Sequence, residues 1–315
     1  MERKQRTIKT SQSCQGVGLH TGVKSVITFH PAPENYGIRF IRSDIKNCTE
    51  IKADIDHVVD ISRGTTIEEN DVRIHTVEHA LAAVSGLRLD NILIELTSKE
   101  PPVMDGSAKD FVECLIKAGI QVQEEERKIL EITNAVNYTN PYRDIDIHVI
   151  PSDRFRITFM VEYNLPALGT QYEAIYNMEE DFAFEVAPAR TFCFLSEVEM
   201  LKEQGLIKGG ALDNAVVIID KEIDSMEMQR LKNLFGIEKN IIEGANGILN
   251  GKLLRFKNEP VRHKTLDLIG DLALLGVPIK GHVTAARAGH ASNVEFVKKL
   301  KKQYSKELSG MLNNE

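Results

Sequence analysis

The 315 residues predict an α+β fold. Three observations lead there: alternating apolar stretches recur at both ends of the chain, helical periodicity lies between them, and the two never settle into regular βαβ alternation. Ser25 to His30, Ile92 to Leu96, Ile145 to Ile150 and Arg156 to Val161 alternate with a period of two and read as strands. Apolar residues three and four apart predict helices over Thr76 to Val84, Ala108 to Lys117, Glu197 to Gln204, Ser225 to Leu234 and Lys264 to Leu275.

Two passages read as copies of one unit. Thr76 to Val84 is a helix followed by Gly86 and a strand through Ile94; Lys264 to Leu275 is followed by Gly276 and a strand from Ile279 through Thr284. Glycine suits the position after a helix, which is common in unrelated proteins, so the repeat is weak alone. It predicts an N-terminal domain over 1–126 and a C-terminal one over 127–300, with the lysine-rich residues 301–315 as a polar tail or linker.

Composition narrows the function classes. With 42% hydrophobic residues the chain can bury a full core. A formal net charge of −7 argues against a general phosphate-neutralising surface, so no nucleic acid partner is expected. Cys14, Cys48, Cys114 and Cys193 are scattered and form no C-x-x-C pair, which points to reduced thiols. The charged start leads into no apolar run, and no segment approaches the ~20 apolar residues that span a bilayer. A cytoplasmic protein without membrane insertion is expected.

The chemistry concentrates in histidines. His75-Thr76-Val77-Glu78-His79 has the H-x-x-E-H form of the inverted zincins, which would make the chain a metallopeptidase using His75 and His79. Downstream, His263, Asp267 and Asp271 recur every four residues and line one face of a helix. Gly270 beside them costs ~1 kcal/mol relative to alanine inside a helix, so another backbone is expected to approach there. An alternative reading leaves these carboxylates exposed on an amphipathic helix.

The two clusters explain each other. Catalytic zinc takes three protein ligands and leaves a position open. His79, His263 and Asp267 supply three, Glu78 stays free as a base, and Asp271 can orient an imidazole such as His290. Mixed His/Asp ligation also accommodates iron or cobalt. Ala189-Arg190-Thr191-Phe192-Cys193-Phe194 reads as a strand end and Lys208-Gly209-Gly210 as a turn; a functional reading makes Thr191 an oxyanion donor and the glycines clearance for substrate.

Taken in order, Gly16-Val17-Gly18-Leu19-His20-Thr21-Gly22, Thr76-Val77-Glu78-His79, Pro102-Val103-Met104-Asp105-Gly106-Ser107, Ala189-Arg190-Thr191-Phe192, Lys208-Gly209-Gly210 with Leu212-Asp213-Asn214, and Arg262-His263-Lys264 with Asp267, Gly270 and Asp271 resemble the UDP-3-O-acyl-N-acetylglucosamine deacetylases. The likeness runs over nearly the whole chain, to His290-Ala291-Ser292-Asn293. It implies two related α+β domains, each a sheet with helices on one face, the helices sandwiched between them.

The resemblance also implies roles. The family is a zinc amidase that frees the amine and acetate in the committed step of lipid A, and so of lipopolysaccharide, synthesis. Zn2+ would be held by His79, His263 and Asp267, with Glu78 as general base. His290, oriented by Asp271, would be the general acid, and Thr191 would polarise the carbonyl. Lys264 would face the anionic part of the UDP-linked sugar, Phe192 its ring and Tyr163 its uracil. Phe194, Val198, Ile207, Ala215 and Val217 would line an acyl passage, with Leu19 at its mouth and Gly210 on the substrate's path. His75 precedes the family motif, so it is not expected as a ligand, and Cys193 replaces the more usual glycine. Asp60-Ile61-Ser62-Arg63-Gly64-Thr65-Thr66 and Ala291-Ser292-Asn293-Val294 resemble the branch fused to a 3-hydroxyacyl-acyl-carrier-protein dehydratase. A monomer is expected of these residues, which include no dehydratase.

Overall fold

Two five-stranded sheets repeat one topology. In the first, β1 (Gln12–Val17), β2 (Lys24–Pro31), β3 (Ile38–Arg42), β4 (Ile51–Lys52) and β5 (Ile92–Leu96) lie in the order β1-β2-β5-β3-β4. In the second, β6 (Val136–Asn140), β7 (Ile145–Ile150), β8 (Arg156–Glu162), β9 (Thr170–Ile175) and β10 (His282–Ala286) lie in the order β6-β7-β10-β8-β9. The central strand of each is antiparallel to its second strand and parallel to its third. The expected duplication is therefore present strand for strand. This computed structural model describes residues 4–312 apart from 63, 164, 166–167, 222, 225, 227–228, 233–246 and 250–252. The helix expected from Ser225 to Leu234 lies outside the described residues at 225, 227–228 and 233–234.

The strands are half-buried, as their alternation requires. Along β2 the even-numbered side chains Val26, Thr28 and His30 stay partly exposed, while Ser25, Ile27 and Phe29 go to the core. The buried faces of both sheets meet two helices that have little surface left. In α1 (Glu78–Gly86) every residue but Ser85 is buried. A second helix, Glu259–Ala273, buries nearly all of its circumference, including Asp267 and Asp271. Helices buried all round belong to an interior layer. One continuous core joins Phe29 and Ile94 of the first sheet, Leu81 and Leu266 of the helices, and Phe159 and Val283 of the second.

Four further helices of eight residues or more lie among the described residues. These are α2 (Lys109–Ala118), α3 (Leu195–Glu203), and, after the long helix (α4), α5 (His290–Gln303) and α6 (Ser305–Leu312). Helix α4 starts five residues before the expected Lys264, because Pro260 sits in its first turn, where a missing N–H costs nothing. The single strand expected from Ile279 breaks at Gly281. Ile279–Lys280 pairs with Leu130–Glu131, and only His282 onward joins the main sheet.

Residues 301–312 are not the polar tail or linker the lysines suggested. Tyr304 and Leu308 are buried, and the Tyr304 hydroxyl accepts from the backbone N–H of Thr133 and Asn134 at 3.2 and 3.1 Å. Lys301 reaches Asp54 and Asp56 at 2.6 and 2.8 Å. All four cysteines are free thiols. No helix among the described residues is long and apolar enough to cross a membrane.

Candidate metal centre

The backbone just before α1 is strained. Thr76, a β-branched residue, has φ of +55°, a region such residues rarely adopt. Its hydroxyl lies 3.3 Å from Oε1 of Glu100, a fully buried carboxylate whose oxygens also accept from the N–H groups of His20 (3.0 Å) and Thr21 (2.9 Å). The kink delivers Glu78 and His79 into the interior on the first turn of α1. Gly64, at φ +143°, lies against Glu78; a Cβ there would stand 2.7 Å from its Oε1. The N–H of Thr65 donates to Oε2 of Glu78 at 2.9 Å.

Helix α4 delivers the partners. His263 Nε2 and His79 Nε2 stand 3.4 and 3.7 Å from Oδ1 of Asp267. Nδ1 of His263 donates to the carbonyl of Ala189 at 3.0 Å, which leaves Nε2 with its lone pair facing Asp267. Among the described residues this is the group of His, Cys, Asp and Glu side chains able to hold a metal ion, with its ligand atoms within 4.8 Å of one another. Ligands of a tetrahedral zinc, at about 2.0–2.2 Å, stand roughly 3.3–3.6 Å apart. The buried Oδ1 of Asp267 has no hydrogen-bond partner, although the rest of its carboxylate is engaged by Lys264 at 2.8 Å. An orphaned carboxylate oxygen facing two imidazole nitrogens fits a divalent cation.

The electrostatics agree with that fit. Burial, reinforced by the neighbouring His263, pushes His79 down to about 3, and burial lowers His263 as well, so both are neutral donors. Burial alone would raise Asp267, but Lys264 and the imidazoles around it outweigh that and hold it ionised. Burial raises Glu78 to about 7, helped by Asp271 and Asp267 against the pull of His290. Burial opposes a charged His290; Asp271 and Asp267 overcome it and lift the imidazole to about 10.

His290 begins α5 and closes the site from the second sheet. Its Nδ1 lies 2.9 Å from Oδ2 of Asp271, and its Nε2 lies 3.8 Å from both Glu78 Oε1 and Asp267 Oδ2. Asp271 also accepts from the Thr65 hydroxyl at 2.6 Å and from the Asn293 amide at 2.9 Å. Thr65, Asn293 and Glu100 carry no expected role from sequence. Asn293, one turn after His290, offered a helical-spacing signal; the other two offered none.

The remaining expected residues are placed unevenly. Phe192 lies beside the centre, its ring 6.3 Å from that of His263, with Lys264 Nζ 5.6 Å from its centroid. Tyr163 packs edge-on against Phe192 and Phe194 at 6.0 and 5.6 Å. Thr191, half-buried, precedes the short strand Phe192–Phe194 and donates its N–H to Gly106 at 2.7 Å. The turn at Lys208 to Gly210 lies against the loop holding Leu19, with Gly209 N–H donating to the Leu19 carbonyl at 3.0 Å; Gly209 thus makes room for backbone.

The expected acyl lining is split. Val198 and Val217 pack with Leu195, and Ile207 and Cys193 lean on them. Phe194 instead lies with Tyr163 and Phe192 on the opposite face of the two-stranded sheet, because Cys193 pairs with Val217 and Phe194 with Ile218. Alternation along a strand cannot send adjacent residues to one side. Ala215 is half-buried just before Val216. His75 stands outside the metal-ligating group, its Nδ1 3.0 Å from the Thr66 hydroxyl, so nothing here favours the inverted-zincin peptidase.

The family model described as UDP-3-O-acyl N-acetylglycosamine deacetylase matches residues 5–236 and 219–302. The chain is 53% identical over 299 residues to a bifunctional enzyme LpxC/FabZ of Chlorobaculum tepidum, covering 95% of this chain and 64% of that one. It is 38% identical to the LpxC/FabZ enzyme of Bacteroides thetaiotaomicron, of which it spans 65%. A UDP-3-O-acyl-N-acetylglucosamine deacetylase of Chlamydia pneumoniae is 40% identical, with 95% of this chain and 98% of that one covered.

Proposed function

The chain belongs to the UDP-3-O-acyl N-acetylglycosamine deacetylase family, and from that premise we propose that it hydrolyses the acetamide of a UDP-3-O-acyl-N-acetylglucosamine to the free amine and acetate. We further propose that it does so in the cytoplasm as a step of lipid A synthesis, with zinc held by His79, His263 and Asp267. One observation carries the reading: the unpartnered, buried Oδ1 of Asp267 faces the two imidazoles at 3.4 and 3.7 Å.

Bound at these residues, zinc would supply a Lewis acid and a water acidified from 15.7 toward ~7. The protein's own groups do the rest. Glu78, raised to about 7 by burial, has the affinity needed to take a proton from the attacking water near neutral pH. His290, charged through Asp271 and Asp267, holds a proton on Nε2 for the leaving nitrogen, which amide cleavage requires. The Thr191 hydroxyl stabilises negative charge on the carbonyl oxygen. Lys264 faces the diphosphate, while Phe192 and Tyr163 form the wall for the sugar and base.

Elemental analysis of the purified protein, paired with an acetate-release assay on the nucleotide sugar, tests this. Near one zinc per chain and release abolished by chelation are expected. Fully zinc-loaded protein that frees no acetate overturns the proposal.

A further inference from the structure

A second cavity lies at the far end of the helix pair. It encloses about 730 Å³ between the two halves of the chain, and none of Glu78, His79, His263, Asp267 or His290 lines it. Ser85 and Leu89, at and beyond the end of α1, form part of its wall together with Leu272 and Ala273 of α4. At ~1.5 Å per residue these positions stand roughly 9 Å along their helices from His79 and Asp267.

Its lining has two characters. Ile38, Ala53, Phe155, Ala273, Val277 and Leu312 give an apolar surface; all but Ala53 and Val277 are only partly buried. Around it stand six basic side chains, among them Arg88, Arg127, Lys128 and Arg154, against three acidic ones, in a chain whose formal net charge is −7. Arg127 and Arg88 are engaged by Asp90 and Glu179, and Arg6 also reaches Glu179 at 3.3 Å. Three guanidiniums thus gather on two carboxylates, at side-chain exposures of only 8 to 15%. The C-terminal ends of α1 and α4 each contribute about half a negative charge. Arg154 is also paired with Asp153 at 3.3 Å and Lys280 with Glu131 at 2.8 Å, so the rim's surplus over its carboxylate partners is two positive charges, still more than the two helix ends offset together.

An apolar pocket rimmed by positive charge selects a particular chemistry. We propose that this cavity binds an anionic amphiphile, a single alkyl chain with a carboxylate or phosphate head. The chain lies over Phe155, Ala273 and Leu312, and the head meets the cationic rim at Lys128 and Arg154. The site is separate from the metal centre and stands whether or not the deacetylase reading does.

Equilibrium binding of dodecanoate, dodecyl phosphate, dodecanol and inorganic phosphate to the full chain tests it. One equivalent of either charged amphiphile should bind, weakening as salt rises. Uncharged dodecanol should bind at least roughly tenfold more weakly, consistent with losing a charge-assisted contact, and inorganic phosphate should not compete. Comparing the two heads identifies which anion is preferred. The double variant Lys128→Glu/Arg154→Glu should lose about tenfold or more in affinity. Val217→Phe, which crowds the separate apolar cluster of Leu195 and Val198, should leave binding unchanged. The proposal fails if neither amphiphile binds, if affinity is indifferent to salt, if the rim variant binds like the parent, or if Val217→Phe abolishes binding.

Discussion

A methyl group on Gly270 would stand 2.1 Å from the carbonyl oxygen of Glu78. The two helices that carry the candidate centre are therefore in backbone contact beside it, which explains a glycine in the middle of α4 despite its poor propensity. Gly270→Ala has no flexible side chain to displace, so α1 and α4 must separate. We expect a loss of about 1–3 kcal/mol in stability, as for overpacked cores, and a larger loss of bound metal. A methyl group on Gly310 in α6 would meet nothing within 4 Å, and Gly310→Ala should instead gain about 0.5–1 kcal/mol. Chemical denaturation of both variants checks the pair; equal effects would refute the close-approach argument.

Asp271 predicts a pH effect. Its carboxylate is a principal reason His290 is lifted to about 10 despite burial. Asp271→Asn removes that charge, so His290 loses its proton at lower pH. With His290 acting as the acid, the alkaline limb of the kcat profile should move toward neutrality, and turnover should fall about 10–100-fold. Metal content should stay near that of the parent, since Asp271 lies outside the group of His79, His263 and Asp267 able to hold an ion. An unmoved alkaline limb would separate His290 from the proton transfer.

How far the sequence carries is visible in these residues. The Glu78-His79 pair and the His263/Asp267/Asp271 ladder were legible because helical spacing fixes which side chains share a face. Thr65, 206 positions from Asp271, and Glu100, 80 from His20, were not, because such pairs exist only in the folded chain. A terminal helix was legible, but its docking was not: Tyr304 and Leu308 recur four residues apart, and their burial against the fold exists only in the folded chain. Phe194 and Val217 lie on opposite faces of their two-stranded sheet, and that was not legible because it depends on the pairing of Cys193 with Val217, which exists only in the folded chain.

Arg190 and Glu259 form a buried pair that anchors the Thr191 strand to the start of α4. The guanidinium is bidentate, with Nε at 2.8 Å and Nη2 at 3.0 Å from the two carboxylate oxygens. Burial would raise Glu259, but these bonds, with backbone N–H groups of Arg190 and Arg255, hold it below the usual range. A depressed folded pKa means the contribution is complete above the unfolded value, near ~4.3, and is lost as pH falls through the lower folded value. Arg190→Ala should cost about 3–5 kcal/mol at neutral pH, leaving a buried carboxylate unpaired. Its penalty should shrink on acidification. Denaturation curves from about pH 7 to pH 3 decide this, and a penalty that does not change with pH would show the pair is not the cause.

Glu100 joins the turn around His20 and Thr21 to the kinked segment that leads into Glu78 and the candidate metal centre. Its oxygens accept from the His20 and Thr21 N–H groups, so they hold the turn that touches Gly209, and Oε1 also meets the Thr76 hydroxyl two residues before Glu78. Glu100→Gln preserves shape but turns one acceptor into a donor aimed at a donor. An unsatisfied buried group of this kind costs about 1–3 kcal/mol. Two consequences should separate in the kinetics. Loosening the 18–22 turn should raise KM, while release of the Thr76 kink should lower kcat by letting Glu78 drift. Glu100→Ala, which removes the conflict along with the bonds, should show the same direction in both constants. If Glu100→Gln loses stability yet keeps kcat and KM, the carboxylate supports the fold alone, and the strained φ of Thr76 is sustained by the Val77–Thr65 backbone bond instead.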